Sequence, residues 1–214
     1  RVISIVRRQW ADHPTSRPPV VVVSAMSKVT DKLVEAGRLA GERQGEQAAQ
    51  ILQDLLTRHL GVTRTLVQGP ELEALDAVLT ADFEALIADV RRWATDGDVT
   101  PAAADALQAM GELASSRIVA AAFRQQGVNA AWVDSRQVLV TDAEHSAAVP
   151  DMEATTERAL ALVAPKTAAG QVPVMGGFIG ASHGGVTTTL GRGGSDYSAA
   201  IFGACLDVDE IQIW

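Results

Sequence analysis

Apolar runs alternate with segments of helical periodicity along this chain, and the alternation predicts strands followed by helices. Val20 to Val23 form a run without polar alternation, which is typical of a parallel strand buried on both faces. Further strands are predicted at Val128 to Val133, at Val172 to Val174, in the Thr run 187–189 and at Ile211 to Trp214. Strands that alternate with helices indicate an α/β sheet with helices on both faces.

Apolar residues recur at helical spacing between the strands. Residues 41–95 predict two amphipathic helices, with Gly61 and Gly69-Pro70 as the breakers that separate them. Thr100-Pro101 is a strong helix start, because a capping residue precedes a proline at the first helical position, and that helix should end near Gln126. Further helices are predicted at residues 1–10, from Val29 onward, at 153–164 and at 195–206.

A Gly-X-Gly-Gly turn follows the Thr run and opens a predicted helix. Gly191, Gly193 and Gly194 can adopt positive φ and let a ligand approach the backbone closely. Ser195 and Asp196 come next, at the predicted N-cap and first turn of the helix. A helix start favours anions such as phosphate or carboxylate, since its N–H groups are free and its dipole is positive there.

Arg192 lies inside this turn and offers a planar fork for bidentate binding of a carboxylate or phosphate. The alternative is an ordinary glycine-rich turn with a solvated arginine. A second glycine-rich turn precedes the Thr run, with glycines at positions 176, 177, 180, 184 and 185. Two flexible turns around one strand favour a ligand crevice over the plain turn.

A glycine-glutamate pair, Gly111-Glu112, stands in the middle of the helix that begins at Pro101. A glycine in a helix interior costs about 1 kcal/mol relative to alanine. Gly111 therefore predicts the close approach of a backbone or a ligand. Glu112 is either solvated or faces a crevice. Asp134 and His183 are interpreted more simply, as a turn residue and a solvated loop residue.

The composition excludes several classes of function. Apolar residues are 47% and charged residues 21% of 214, as in ordinary globular proteins. The formal net charge is −8 and basic residues form no run, which excludes nucleic acid as the main partner. Cys205 is the single cysteine and the histidines are scattered, so no metal site is predicted. With no signal peptide or membrane span recognised, we expect a cytoplasmic protein.

Three stretches carry a resemblance to a known family: VVVSAMSKVTDKL, MGELASSRIVAAAFRQQGVNAAWVD and GGFIGASHGGVTTTLGRGGSDYSAA. In their order and spacing they resemble the catalytic domain of aspartate kinases, within the amino acid kinase superfamily. The resemblance implies that residues 1–214 are part of one such catalytic domain, with 41–95 as a helical insert. It also implies a three-layer αβα sandwich around a mainly parallel sheet.

The resemblance implies transfer of the γ-phosphoryl group of ATP to the β-carboxylate of L-aspartate. The product would be 4-phospho-L-aspartate, in the first step towards lysine, threonine and methionine. The matching motif positions imply a role for each candidate residue. Arg192 would bind a substrate carboxylate and Glu112 the substrate ammonium. Thr30 and Ser195 would contact aspartate, and Asp196 would lie at the reacting centre. ATP and Mg²⁺ are the implied cofactors, and a homo-oligomer is implied as the assembly.

The sequence departs from the family pattern at both ends. The family's N-terminal Lys-Phe-Gly-Gly-Thr-Ser loop, its later nucleotide-binding segment and its ACT domains are not in this sequence. We therefore expect a piece of a longer protein, with little or no kinase activity on its own. The alternatives are another kinase of the superfamily, acting on acetylglutamate, glutamate or uridylate, or a non-catalytic amino-acid-binding module.

Overall fold

A three-stranded parallel sheet organises the computed structural model, which describes residues 4–8, 17–191 and 193–214. Its strands are β1 (Val21–Val23), β2 (Ala130–Val133) and β4 (Val172–Gly176), in the order β1-β4-β2. Both pairs are parallel, and β4 in the middle is buried along its whole length. This burial on both faces explains the apolar character of β4, whereas the valines of β1, predicted to be buried on both faces, are half-buried.

A second small sheet continues from the end of β4. It contains β3 (Val140–Thr141), β5 (Ile179–Ser182) and β6 (Thr187–Thr189), in the order β3-β5-β6. The β3–β5 pair is parallel, whereas β5 and β6 form an antiparallel hairpin. The strand predicted from the Thr run is thus confirmed as β6, and it runs directly into the glycine turn at 191.

Helices cover both faces of the parallel sheet. In chain order they are α1 (Val29–Gly41), α2 (Gly45–Leu66), α3 (Pro70–Asp96), α4 (Pro101–Gln125), α5 (Met152–Leu162), α6 (Ala164–Ala168) and α7 (Gly194–Cys205). Val174 packs with Phe123 of α4 on one face. Its neighbour Met175 packs with Ala159 of α5 and Phe202 of α7 on the other. The predicted three-layer α/β class is confirmed.

The start of α4 follows the prediction closely. Thr100 caps the helix, because its side chain accepts a hydrogen bond from the backbone N–H of Ala103 at 3.2 Å. Pro101 occupies the first turn, and the helix ends at Gln125, just before the left-handed Gly127. Of the helix predicted at residues 1–10, residues 4–8 are helical, and the others lie outside the described residues.

The two helices predicted between residues 41 and 95 are confirmed as α2 and α3, but Gly61 does not separate them. Helix α2 continues through Gly61 to Leu66, and the break comes at Gly69, whose φ is 68°, followed by Pro70. One glycine costs a helix only about 1 kcal/mol. The buried face of α2, which includes Leu52 and Leu56, offsets that cost.

Gly61→Ala should raise the free energy of unfolding by about 0.5–1 kcal/mol, because alanine loses less backbone entropy in a helix. A Cβ at this position meets nothing within 4 Å, so no packing penalty opposes the gain. Urea unfolding of both proteins measures the difference. A less stable variant would show that this turn of α2 contacts something outside the described chain.

His59 is fully buried in the core between α2 and α3. Its Nδ1 lies 2.6 Å from the carbonyl oxygen of Leu55, and its ring centroid lies 5.3 Å from that of Phe83. Its Nε2 has no hydrogen-bond partner within the described part of the chain. Burial lowers the pKa of His59, so the folded protein keeps the ring neutral.

We expect His59 to contribute a loss of stability as the pH falls below about 6.5, where the unfolded chain binds a proton that the buried ring of the folded chain does not bind. The contribution is fully present above that pH, because both states are then neutral at His59. His59→Leu should remove this contribution, so the urea midpoint of the variant relative to that of the wild type should rise from pH 7 to pH 5. An unchanged slope in the variant would assign the acid sensitivity to other groups.

Two further predictions are wrong. Residues 211–214 form no strand, and Ile211, Ile213 and Trp214 are exposed. Strand propensity needs a neighbouring strand to pair with, and none of the described strands pairs with this segment. Ser195 is also not a helix cap: α7 begins at Gly194 with Gly193 as its cap, so Ser195 lies within the first turn.

Among the residues described, no helix has both the length and the apolar character needed to cross a membrane. Cys205 is buried and unpaired, as predicted for a small core residue.

Candidate active site

The carboxyl ends of β1 and β4 meet at one edge of the parallel sheet. The backbone N–H of Gly177, just after β4, donates to the carbonyl oxygen of Val23 at 2.8 Å. The hydroxyl of the buried Ser135 donates to the carbonyl oxygen of Gly176 at 2.5 Å. Ligands of open α/β sheets bind outside the carboxyl ends of the strands, so this edge is the place to look for a site.

Glu112 of α4 is buried beside this edge, with only 3% of its surface exposed. Its Oε1 accepts a hydrogen bond from the N–H of Ala25 at 3.1 Å, whereas Oε2 is buried without a partner among the described residues. Burial raises the pKa of Glu112 to about 7. Of the two alternatives left open by the sequence, the solvated one is wrong. A carboxylate with one free buried oxygen can receive a cationic group.

Close backbone packing places this carboxylate. A Cβ on Gly111 would lie 2.7 Å from the Cβ of Ala25, which confirms the predicted close approach at this glycine. A Cβ on Gly176 would lie 3.1 Å from the Cβ of Glu112, and one on Gly177 would lie 2.9 Å from the Cα of Ser195. These two consecutive glycines therefore lie against Glu112 and Ser195, and bring α4 and the start of α7 to the same place.

The start of α7 is fixed to the loop after β4. The N–H of Phe178 donates to Ser198 Oγ at 3.0 Å, and a Cβ on Gly194 would lie 2.7 Å from the Phe178 ring. Ser195 is half-buried and Asp196 exposed in the first turn of α7. The N–H groups of a first turn have no partner within the helix and can bind an anion.

The three glycines of the turn have different roles. Gly191 and Gly193 both have φ of 75°, as predicted, whereas Gly194 belongs to α7 and is needed for close packing instead. A Cβ on Gly193 would meet nothing within 4 Å, while one on Gly191 would lie 3.0 Å from the carbonyl oxygen of Ser146. Arg192 lies outside the described residues.

Thr30 lies in the first turn of α1, where it is half-buried. Its neighbour Val29 is fully buried against α4, since a Cβ on Gly111 would lie 3.3 Å from Val29 Cγ1. The first turn of α1 thus lies beside the Gly111-Glu112 pair. Glu112, Ser195 and Gly194 are brought together through the loop after β4. Thr30 is placed only through its neighbour Val29, which packs against Gly111.

A cavity of about 700 Å³ on the side of the β5–β6 hairpin is lined by none of these residues. Two of its lining residues, Asp134 and Arg136, already form a 2.6 Å ion pair, and this pairing raises the pKa of Arg136. Asp134 also caps the short helical turn Ser135–Gln137, as expected for a turn residue. The buried Glu112 is therefore a better guide to the site than this cavity.

The sequence did not single out Asp105, which is fully buried on α4. Its position seven residues before Glu112 was the available signal, because residues seven apart share a helix face. Phe178 was also missed; its φ of 66° is unusual for an aromatic residue, and only the backbone shows it.

Mg²⁺ was an expected cofactor, and a site for it would need side chains of this chain that can act as metal ligands. The residues that the structure describes contain no group of three or more His, Cys, Asp or Glu side chains that could hold an ion. They do not form a Mg²⁺ site by themselves.

Comparison with known sequences identifies relatives of this chain. The bifunctional aspartokinase/homoserine dehydrogenase 1 (chloroplastic) of Arabidopsis thaliana is 34% identical over 200 residues, which cover 93% of this chain and 22% of that protein. The lysine-sensitive aspartokinase 3 of Escherichia coli strain K12 is 34% identical over 198 residues, covering 91% of this chain and 41% of that protein. The chain thus spans less than half the length of these relatives.

Comparison with solved structures points the same way. Escherichia coli aspartokinase III in complex with lysine and aspartate matches 99% of this chain and 46% of that chain, with a TM-score of 0.77 and 29% identity. The structure of that enzyme with aspartate and ADP matches with a TM-score of 0.73 and 30% identity, over 99% of this chain and 45% of that chain. The amino acid kinase family model matches residues 2–214. The resemblance to aspartate kinases is confirmed, and the chain belongs to the amino acid kinase family.

Proposed function

We propose that residues 1–214 are part of the catalytic domain of an aspartate kinase, with residues 41–95 as a helical insert. The reaction is transfer of the ATP γ-phosphoryl group to the β-carboxylate of L-aspartate, giving 4-phospho-L-aspartate for lysine, threonine and methionine synthesis. The observation that carries the proposal is Glu112, a buried carboxylate at the carboxyl edge of the sheet, one oxygen of which has no partner among the described residues.

A buried carboxylate is costly unless it is neutralised or paired with a cation. The α-ammonium of an amino acid supplies that cation, whereas acetylglutamate has its amino group blocked and uridylate has none. Glu112 therefore favours an amino-acid acceptor over two of the alternatives within the superfamily. Glutamate remains as the competing acceptor, because it carries the same α-ammonium and α-carboxylate groups and places its side-chain carboxylate one methylene further away.

The anionic end of the substrate is assigned to the start of α7. Its first-turn N–H groups, the hydroxyl of Ser195 and the guanidinium of Arg192 are donors suited to carboxylate oxygens. Thr30 is assigned to substrate binding from the α1 side. Asp196, exposed in the same first turn, is assigned to the reacting centre.

The glycine turn at 191, 193 and 194 is assigned to the phosphate side, where open backbone can approach a phosphoryl group. Phosphoryl transfer depends mainly on positioning and on neutralising charge on the transferred oxygens. ATP is the proposed donor and Mg²⁺ its counter-ion; the aspartate and ADP bound to Escherichia coli aspartokinase III support this choice of substrates. A cytoplasmic homo-oligomer is the proposed state, and the isolated 214 residues are proposed to be inactive.

The proposal is tested on the full-length protein by trapping acyl phosphate as its hydroxamate, with L-aspartate, L-glutamate and N-acetyl-L-glutamate as acceptors. Aspartate-dependent turnover is expected. Arg192→Ala should lower kcat/KM by an amount equivalent to about 2–5 kcal/mol of transition-state binding free energy, the range for a desolvated carboxylate contact. Arg64→Ala removes an exposed arginine from a surface pair and is the matched control. Turnover of another acceptor would show that this acceptor, and not aspartate, is the substrate. No turnover from folded protein would favour the non-catalytic amino-acid-binding module.

A further inference from the structure

The peptide group that joins Ser24 to Ala25, directly after β1, is bound on both of its sides by helix α4. Its carbonyl oxygen accepts a hydrogen bond from Ser115 Oγ at 2.8 Å, and its N–H donates to Glu112 Oε1 at 3.1 Å. Ser115 and Glu112 are both buried, and they lie three residues apart on α4, so they share a face of the helix. Two side chains of α4 therefore hold this one peptide group.

The two hydrogen bonds depend on each other, because a peptide group is planar and rigid. Its carbonyl oxygen and its N–H turn together, so the bond from Ser115 also sets the direction in which the N–H of Ala25 points. That N–H donates to the Glu112 carboxylate, whose second oxygen has no partner among residues 4–8, 17–191 and 193–214. A hydrogen bond to a charged carboxylate favours its charged form. Ser115 thus acts on the Glu112 carboxylate through the peptide group.

Charged neighbours are not what sets the ionisation of Glu112. The titratable groups of α4 and of the elements around this carboxylate are Lys28, Asp31, Asp105, Arg117, Asp134 and Asp196. Asp105, Arg117 and Asp134 have partners of their own, and the other three are exposed. Burial raises the pKa of Glu112 to about 7, and the larger opposing influence is the hydrogen bond from the N–H of Ala25.

We propose that Ser115 is a positioning residue, which holds the Ser24–Ala25 peptide in the orientation that favours the charged form of Glu112. The inference rests on the proposed function and deepens it, because only the charged carboxylate can form an ion pair with the substrate ammonium. Without the hydroxyl of Ser115, the peptide group can turn and its N–H leaves Glu112. The carboxylate then keeps its proton to a higher pH, and aspartate is bound less well at neutral pH.

The experiment compares Ser115→Ala with Ser115→Thr in the full-length protein, from pH 6 to pH 9. Ser115→Ala should lower kcat/KM for aspartate about tenfold at pH 6, the lower end of what a hydrogen bond to a charged group contributes. At pH 9 the value should lie within about twofold of wild type, because Glu112 is ionised in both proteins there. The KM for ATP should not change. Ser115→Thr keeps the hydroxyl and should keep the wild-type pH profile.

Ser116→Ala is the matched control. Ser116 is the next residue of α4, is also buried, and accepts a hydrogen bond from a different partner, Trp132 Nε1, at 2.9 Å. Its loss should lower the thermal midpoint equally at pH 6 and pH 9 and leave the pH profile of kcat/KM unchanged. Ser115→Ala should lose more stability at pH 9 than at pH 6, because the folded protein then ionises Glu112 without its hydrogen bond.

A pH profile of Ser115→Ala parallel to that of wild type, or a loss of stability that is the same at pH 6 and pH 9, would overturn the inference. Ser115→Cys, which has nearly the shape of serine but only a weak donor, replaces the alanine variant if that one does not fold. A wild-type protein without aspartate-dependent turnover would instead overturn the proposed function. The unfolding comparison needs no activity and would still decide whether Ser115 acts on Glu112.

Discussion

Glu112→Gln should lower kcat/KM for aspartate by about thirtyfold to several thousandfold, the range for removing one partner of a buried charge pair. Glutamine keeps an oxygen for the N–H of Ala25, which Glu112 Oε1 accepts at 3.1 Å, but it offers no charge to the substrate ammonium. Steady-state kinetics with aspartate and ATP varied separately measure the loss. We expect the loss in the kinetic constants for aspartate, because the carboxylate of Glu112 is assigned to that substrate.

The same substitution should make the unliganded protein more stable at pH 8. Burial raises the pKa of Glu112 from 4.5 to about 7, so the folded chain keeps a proton that the unfolded chain releases near pH 4.5. The contribution of Glu112 to stability therefore falls as the pH rises from 4.5 through 7, by about 3 kcal/mol for a shift of this size, in the opposite sense to the contribution of His59. Glutamine does not ionise and escapes this penalty.

Urea unfolding at pH 5 and pH 8 tests this pair of expectations. The exposed Glu84→Gln on α3 is the matched control and should change neither kinetics nor stability. Aspartate binding below pH 7 should also release a proton in the wild type and none in Glu112→Gln, which calorimetry in two buffers detects. A glutamine variant that binds aspartate normally would remove Glu112 from the site.

Gly177→Ala should disable the site by moving α7. The added Cβ would lie 2.9 Å from the Cα of Ser195, and a backbone atom cannot rotate away as a flexible side chain does. The start of α7 must then shift, and a displacement approaching 1 Å at a reacting centre can cost about a hundredfold in rate. Overpacking of this kind also costs about 1–3 kcal/mol of stability.

Gly184→Ala is the matched control for this change, in the same glycine-rich stretch. Its nearest neighbour would be Ser182 Oγ at 3.8 Å, an ordinary contact, so activity and stability should remain close to wild type. Hydroxamate assays and thermal unfolding on both variants give the comparison. Full activity in Gly177→Ala would show that the position of Ser195 is not critical for the reaction.

The sequence predicted the parts of the fold that depend on local patterns. The strand in the Val20–Val23 run and the Thr100 cap have short-range causes, and each is found in the structure. The close approach at Gly111 was indicated by the cost of a glycine inside a helix, although its partner Ala25 is distant along the chain. The predictions at Gly61 and at residues 211–214 were wrong because long-range packing and pairing decide those segments. A helix with a well-packed face continues through one glycine, and a strand-like sequence needs a neighbour.

The site was predicted less completely for the same reason. The burial of Glu112 depends on Ala25, 87 residues away along the chain, and the sequence left two alternatives open. Asp105 went unnoticed because its partner Thr189 is 84 residues distant. The spacing Asp105–Glu112 on one helix was visible, but nothing in the pattern distinguished a buried acid from the solvated ones on α2 and α3.

Both carboxylates lie on α4, so their relative orientation depends on the number of residues between them. Deleting one residue between Asp105 and Glu112 would rotate one carboxylate by about 100° relative to the other, because an α-helix has 3.6 residues per turn. One of the two would then leave its binding partners. Changes of length should be tolerated in the connection between α2 and α3, because it touches neither carboxylate. They should not be tolerated between residues 105 and 112. Natural variation in the length of related sequences should show the same division.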